Sequence, residues 1–351
     1  MEISQPLVST STLLEFFDSL FVYFDDVFEA APFSVERKIA GERFDCRFYD
    51  NHYAELAETA LSDANQSATE GRCSILVAHA GVENVPLPPV WSEQEFRERE
   101  IEAKFSSSRY RFHYFHPKSF WQIYDRDTQR GVQLMLRPDL YPDWDPGSPL
   151  RNFLHWHFAA KGMALIHSGT LAEEGIGVLL AGAGGSGKSG TVIAGLMQGM
   201  QSVGDDYVLA ECGEQVRAHA LLTTLKQDPD GYSRLSLADR LPNDIPLNWQ
   251  GKHQFNLADV SDIDQQASIE IKALCLPKVV GAEMTTIRPA SRKEAFLSLA
   301  PSGVTQMPGD RDIGFAFCGE LIRRLPCYVI ELGCDPVEVI ATLKAHIGTL
   351  N

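Results

Sequence analysis

The octapeptide Gly182-Ala183-Gly184-Gly185-Ser186-Gly187-Lys188-Ser189 limits what this chain can fold into more than any other stretch. It satisfies G-x-x-x-x-G-K-[ST] without a mismatch. It lies between an apolar run, Val178-Leu179-Leu180-Ala181, and a segment from Thr191 to Met200 that reads as a helix. Strand, glycine loop and helix in that order are the context the motif needs. Glycines let the backbone wrap a polyphosphate, so that successive N–H groups and the helix N-terminus face the anion. Lys188 is then placed to reach the outer phosphates and the Ser189 hydroxyl to ligate Mg²⁺, with Gly190 ending the binding loop. ATP and Mg²⁺ are the expected cofactors.

Composition says how isolated such a phosphate site must be. The 351 residues carry 31 Lys plus Arg against 47 Asp plus Glu, a net charge of −16. That balance argues against general binding to nucleic acid or an anionic membrane, both of which need basic surface. Phosphate must be met in a local pocket. With 44% hydrophobic residues the chain can build a real core, and its length suggests two domains. The apolar stretch Leu13 to Phe28 is interrupted by Glu15, Asp18, Asp25 and Asp26, which speaks against a membrane span or a signal peptide. Thr12-x-x-Glu15 there reads as the capping box of an amphipathic helix. The seven cysteines are scattered and include no CxxC pair, so reduced thiols and a cytoplasmic setting are expected. A homo-oligomer is compatible with all of this.

The run Arg137 to Pro149, with Pro138, Pro142, Pro146 and Gly147, is the strongest boundary signal, and we place the break at 145/146. The first part, 1–145, reads as a smaller α/β domain without a chemical motif. It shows two strands around Ala40-Gly41, a short helix near Tyr53 to Leu61, a strand at Ser74 to Ala78, a helix after the Ser92-x-x-Glu95 capping box and aromatic strands between Tyr110 and Leu136. The aromatic cluster is expected to be core. The second part, 146–351, opens with a helical stretch, Leu150 to Lys161. Strands at Met163 to His167 and Gly177 to Leu180 follow, and a last helix starts at Asp335-Pro336-Val337-Glu338. His155-Trp156-His157 is not read as a metal pair, because positions i and i+2 of a helix face different ways.

Two further features complete a candidate site. Val203-Gly204-Asp205-Asp206-Tyr207 should bring the end of an apolar strand beside the loop; in isolation this would be a solvated turn. Adjacent carboxylates on a strand point apart. One can therefore take a proton from an incoming hydroxyl while the other holds Mg²⁺. His167 precedes the P-loop strand; a lone histidine in an apolar stretch is usually structural. Lys226, Lys252, Arg288 and Arg292 are candidates for a second phosphate contact, Arg292 from the first turn after the Ser291-x-x-Glu294 capping box.

His167, the loop Gly182 to Ser189 and Asp205-Asp206 resemble, in order and spacing, the catalytic core of the HPr kinase/phosphorylase family. Ile166-His167-Ser168-Gly169, Gly204-Asp205-Asp206-Tyr207 and Arg324-Leu325-Pro326-Cys327-Tyr328 look closer still to the HPr-kinase-related proteins, including those of peptide-modifying gene clusters. The resemblance covers Leu150 to the C-terminus. It implies an α/β P-loop kinase core of the HPr kinase and phosphoenolpyruvate carboxykinase type. It also implies Asp205 as general base towards a serine hydroxyl, Asp206 as the metal-side carboxylate, and His167 as the group that orients the reacting oxygens. The sequence departs from HPr kinases proper after the Asp pair, where Leu221-Leu222-Thr223-Thr224-Leu225-Lys226 stands in place of a Glu-x-Arg-Gly segment. Three readings stay open: an ATP-dependent kinase acting on a serine of a peptide or protein, a small-molecule hydroxyl kinase, and an ATP-binding regulatory protein with little transfer activity.

Overall fold

The computed structural model describes residues 8–64, 71–242, 244–303 and 307–350. These form a mixed α/β structure of two compact units. One holds the described residues of Met1–Thr59, Ala68–Ala160 and Pro308–Asp310; the other holds those of Ala60–Ser67, Lys161–Met307 and Arg311–Asn351. The helix Arg151–Ala159 thus belongs to the first unit rather than opening the second, because Phe153, Trp156 and Phe158 bury their rings among that unit's aromatics.

The first unit is built on a six-stranded mixed sheet in the order Phe33–Ile39, Glu42–Phe48, Gly71–His79, Arg130–Met135, Phe120–Asp125, Tyr110–Phe115. Its first hairpin turns at Ala40 and Gly41, both with positive φ (47° and 81°), the geometry that matches the twist of two antiparallel strands. One face of the sheet carries the aromatic core expected from the sequence, in which Phe17, Phe96, Phe112 and Trp121 meet edge to face. Helix Thr10–Val22 closes over it. That helix is capped by Ser9, which accepts from the Thr12 N–H, one turn before the cap expected at Thr12. The Ser92–Glu95 capping-box bonds form, but they close only a turn, and the helix begins later, at Glu98.

The second unit carries an eight-stranded sheet centred on the long strand Ser268–Ala282. The P-loop strand Ile176–Ala181 and the strand Cys327–Gly333 both run parallel to it. Along the P-loop strand, Val178 and Leu180 join one core cluster while Leu179 and Ala181 join the other. That alternation means the sheet is covered on both faces. The P-loop helix Lys188–Met197 and the last helix Pro336–Ile347 cover one face, and helices Arg292–Gly303 and Arg311–Arg324 the other. The last helix starts where the sequence places it, with Asp335 accepting from the Val337 N–H.

Candidate active site

The candidate side chains all belong to the second unit. The P-loop strand stops at Ala181, the chain turns through Gly182 to Gly187, and the helix opens at Lys188. Gly187 is the position where the loop demands glycine. Its φ is +95°, and a Cβ there would sit 2.3 Å from Leu332 Cδ1. The first turn is fastened by Thr191, whose N–H and hydroxyl both donate to the Gly187 carbonyl at 2.9 Å. Ala183, Gly184 and Gly185 remain exposed, so the mouth of the loop is open to a ligand.

Lys188, only 7% exposed, points its Nζ to within 3.3 Å of His167 Nε2. His167 directly follows the short strand Ala164–Ile166, and its ring stacks on Tyr207. The same Nε2 lies 2.9 Å from Asp206 Oδ1, while Lys226 Nζ holds the other oxygen, Oδ2, at 2.8 Å. A single ring nitrogen serves two neighbours here. Carrying its proton, Nε2 donates to Asp206; with its lone pair free, it accepts from Lys188. Burial alone would raise the Asp206 carboxyl, but Lys226, His167 and Lys188 outweigh it and hold the group well below the usual carboxylate range.

The Asp pair is not the end of an incoming strand, as the apolar Val203 suggested. The segment is a turn, and the strand leaves from it, Val208–Cys212. Asp206 takes a left-handed conformation at φ +67°, which aspartate tolerates better than most residues. The turn therefore separates the two carboxylates in depth. Asp206 keeps 21% of its side chain exposed, whereas Asp205 is 1% exposed and faces the backbone of Gly169, where a Cβ would lie 2.7 Å from Asp205 Oδ1. Neither Asp205 oxygen finds a hydrogen-bond partner among the described residues.

Of the four cations considered for a second phosphate contact, the structure brings Lys226 to this cluster. It projects from the strand Thr224–Gln227 of a small hairpin. Arg288 is engaged by Glu294 and Glu331, Arg292 opens its helix, and Lys252 sits in the Asn248 turn. Sequence reasoning missed Arg234. It ends the short helix Pro229–Arg234 and stands 3.7 Å from the point a Gly190 Cβ would occupy, beside the first turn of the P-loop helix. No local pattern marks it, because only the tertiary fold brings it there. His155 and His157 do not converge: His157 bonds Tyr124 and Glu42, while His155 is buried apart from them and burial pushes its pKa down to about 4.

For the cofactors, the residues fit in two respects. Open glycines, a helix N-terminus and Lys188 suit a polyphosphate. The described residues contain no group of three or more His, Cys, Asp or Glu able to hold a metal ion by themselves. Mg²⁺ does not need one, since it keeps waters and phosphate oxygens and takes only one or two protein ligands. The Ser189 hydroxyl and the unpartnered carboxylate of Asp205 can supply those.

No protein-family model matches the chain, and no curated protein matches it in sequence. Among solved structures, the Hpr(Ser) kinase/phosphatase of Coxiella burnetii aligns at a TM-score of 0.31 and 13% identity, over 53% of this chain and 97% of that one. That likeness is too loose to place any residue. Among the described residues no helix is long and apolar enough to cross a membrane.

Proposed function

We propose that this chain is an ATP-dependent kinase that moves the γ-phosphoryl group to a serine hydroxyl of a peptide or protein. The observation that carries the proposal is the convergence of Lys188, His167 and Asp206 within 3.3 Å steps at the mouth of a complete phosphate-binding loop. The loop N–H groups and Lys188 hold the phosphates, and Lys188 leaves His167 to do so. Freed of that neighbour, His167 donates its Nε2–H to Asp206 and orients the carboxylate. Asp206, the more exposed of the pair, then accepts the proton of the attacking hydroxyl. This assignment exchanges the roles expected from sequence, with Asp205 and Ser189 on the metal side. Mg²⁺, when bound with the nucleotide, neutralises charge that builds on the bridging oxygens. The absence of a disulfide among the described residues favours a reducing, cytoplasmic setting.

A net charge of −16 disfavours approach by anionic acceptors, so a neutral or basic peptide is the natural partner. The test is incubation of the purified protein with ATP, Mg²⁺ and a panel of serine peptides of graded charge, read by mass spectrometry. Phosphopeptide is expected, and replacing the serine by alanine in the peptide should abolish it. ATP binding with no acceptor-dependent ADP release across the panel would overturn the transfer reading.

A further inference from the structure

A cavity of about 140 Å³ lies against the P-loop helix, with Ala194, Leu235, Leu332 and Val339 of the core cluster on that face of the sheet in its wall. Gly187 and Gly190, the residues flanking Lys188 and Ser189, form one wall; Arg234, Leu332, Cys334 and Val339 form others. Its chemistry is uneven. Among the described residues its walls are apolar apart from one guanidinium, and no Asp, Glu, Asn or Gln lines it. Both remaining polar side chains are committed, the Thr191 hydroxyl to the Gly187 carbonyl and the Cys334 thiol to the Ala282 carbonyl at 3.2 Å. A volume this size is well below the roughly 300–1,000 Å³ of pockets that enclose a whole drug-sized ligand. It suits a single flat ring system attached to something held outside.

We infer that this cavity takes the nucleobase of the nucleotide whose phosphates the loop holds, gripping the faces of the ring without side-chain readers for its edges. The inference rests on the nucleotide-binding reading above and adds its specificity. Shared residues make the placement natural, since Gly187 and Gly190 border both the phosphate loop and the cavity. Arg234 supplies a planar cation to lie over a ring, and Leu332 and Val339 supply apolar contact. Strong rejection of one base by another requires buried hydrogen-bonding groups that the wrong base leaves unpaired. With no such side chains in the wall, guanine and adenine nucleotides should be accepted with little preference.

Cys334 provides a reporter that does not depend on catalysis. It is the exposed cysteine of the seven and stands in the wall itself. Its alkylation by iodoacetamide would be followed by peptide mass spectrometry with Mg²⁺ alone, then with inorganic tripolyphosphate, ATP or GTP. Binding of each would be measured in parallel by calorimetry. ATP and GTP should each slow alkylation at least about fivefold, with dissociation constants within about tenfold of each other. Tripolyphosphate should bind and displace ATP yet change the Cys334 rate by less than about twofold. ATP that binds in competition with tripolyphosphate but leaves Cys334 fully reactive would overturn the base site and spare the phosphate site. A preference for one base above about 100-fold would overturn the absence of edge readers. Failure of tripolyphosphate and both nucleotides to bind would remove the phosphate-loop reading, and this inference with it.

Discussion

Asp145 in the first unit and Asp206 in the second are both acids withdrawn from water, and their surroundings push them in opposite directions. Asp145 is fully buried and accepts from the Tyr53 hydroxyl within a network that continues through Gln133 and Gln122 to Asn152. Burial dominates there and lifts its carboxyl to about 7, against the smaller opposing effects of Tyr53, Arg151 and His113. At Asp206 burial acts in the same sense but loses to Lys226, His167 and Lys188. The lesson is that contact with cations, more than depth alone, decides whether a carboxylate withdrawn from water stays charged. Neutral hydrogen bonds let the first unit keep a polar core, whereas cations keep the second unit's acid charged where phosphate chemistry would need it.

The largest test of that contrast is to remove the cation shared with the phosphate loop. Lys188→Met should lower phosphoryl transfer by about 10²–10³-fold in a steady-state assay, whereas Asp145→Asn should leave it within about twofold. Loss of transfer in Asp145→Asn would break the contrast.

Next is stability against pH. The folded pKa of Asp145 lies above its ordinary value of 3.8, so its stabilising effect is full below that value and is lost as pH rises towards about 7. Denaturant midpoints should show this as a fall on the order of 3–4 kcal/mol between pH 4 and pH 8, a slope that Asp145→Asn removes. Asp206 runs the other way. Its contribution is full above the ordinary carboxylate range and is lost only as pH falls through its depressed value. The smallest effect belongs to Lys226→Met. It should shift that acid-side loss to higher pH in thermal melts and slow transfer by about tenfold, with Lys226→Arg recovering part of both.

What the sequence made readable was local. The P-loop strand, loop and helix follow from alternating apolar residues, glycines and a fixed motif; the Ala40-Gly41 hairpin and the Asp335-Pro336 helix start follow from turn and cap chemistry. The relation between Asp205 and Asp206 was not readable. Val203 is buried and apolar as a strand residue would be, yet it lies in a turn, where Asp206 takes a left-handed φ and is the more exposed of the two carboxylates. Lys226 and Arg234 reach the site through a small hairpin and a single-turn helix whose positions depend on contacts far away in sequence. The membership of Pro308–Asp310 in the first unit was equally hidden, since it rests on Arg111 bonding Asp310 at 2.8 and 2.9 Å and on Trp156 donating to the Pro308 carbonyl.

The most direct measurement compares Asp206→Asn with Asp205→Asn in single-turnover transfer from ATP to a serine peptide, with ATP affinity measured on the same samples. Asp206→Asn should bind ATP within about threefold of wild type yet lose transfer by about 10²–10⁴-fold at any Mg²⁺ concentration. Asp205→Asn should be partly restored by raising Mg²⁺. Transfer at the wild-type rate in Asp206→Asn would contradict the assignment of this site.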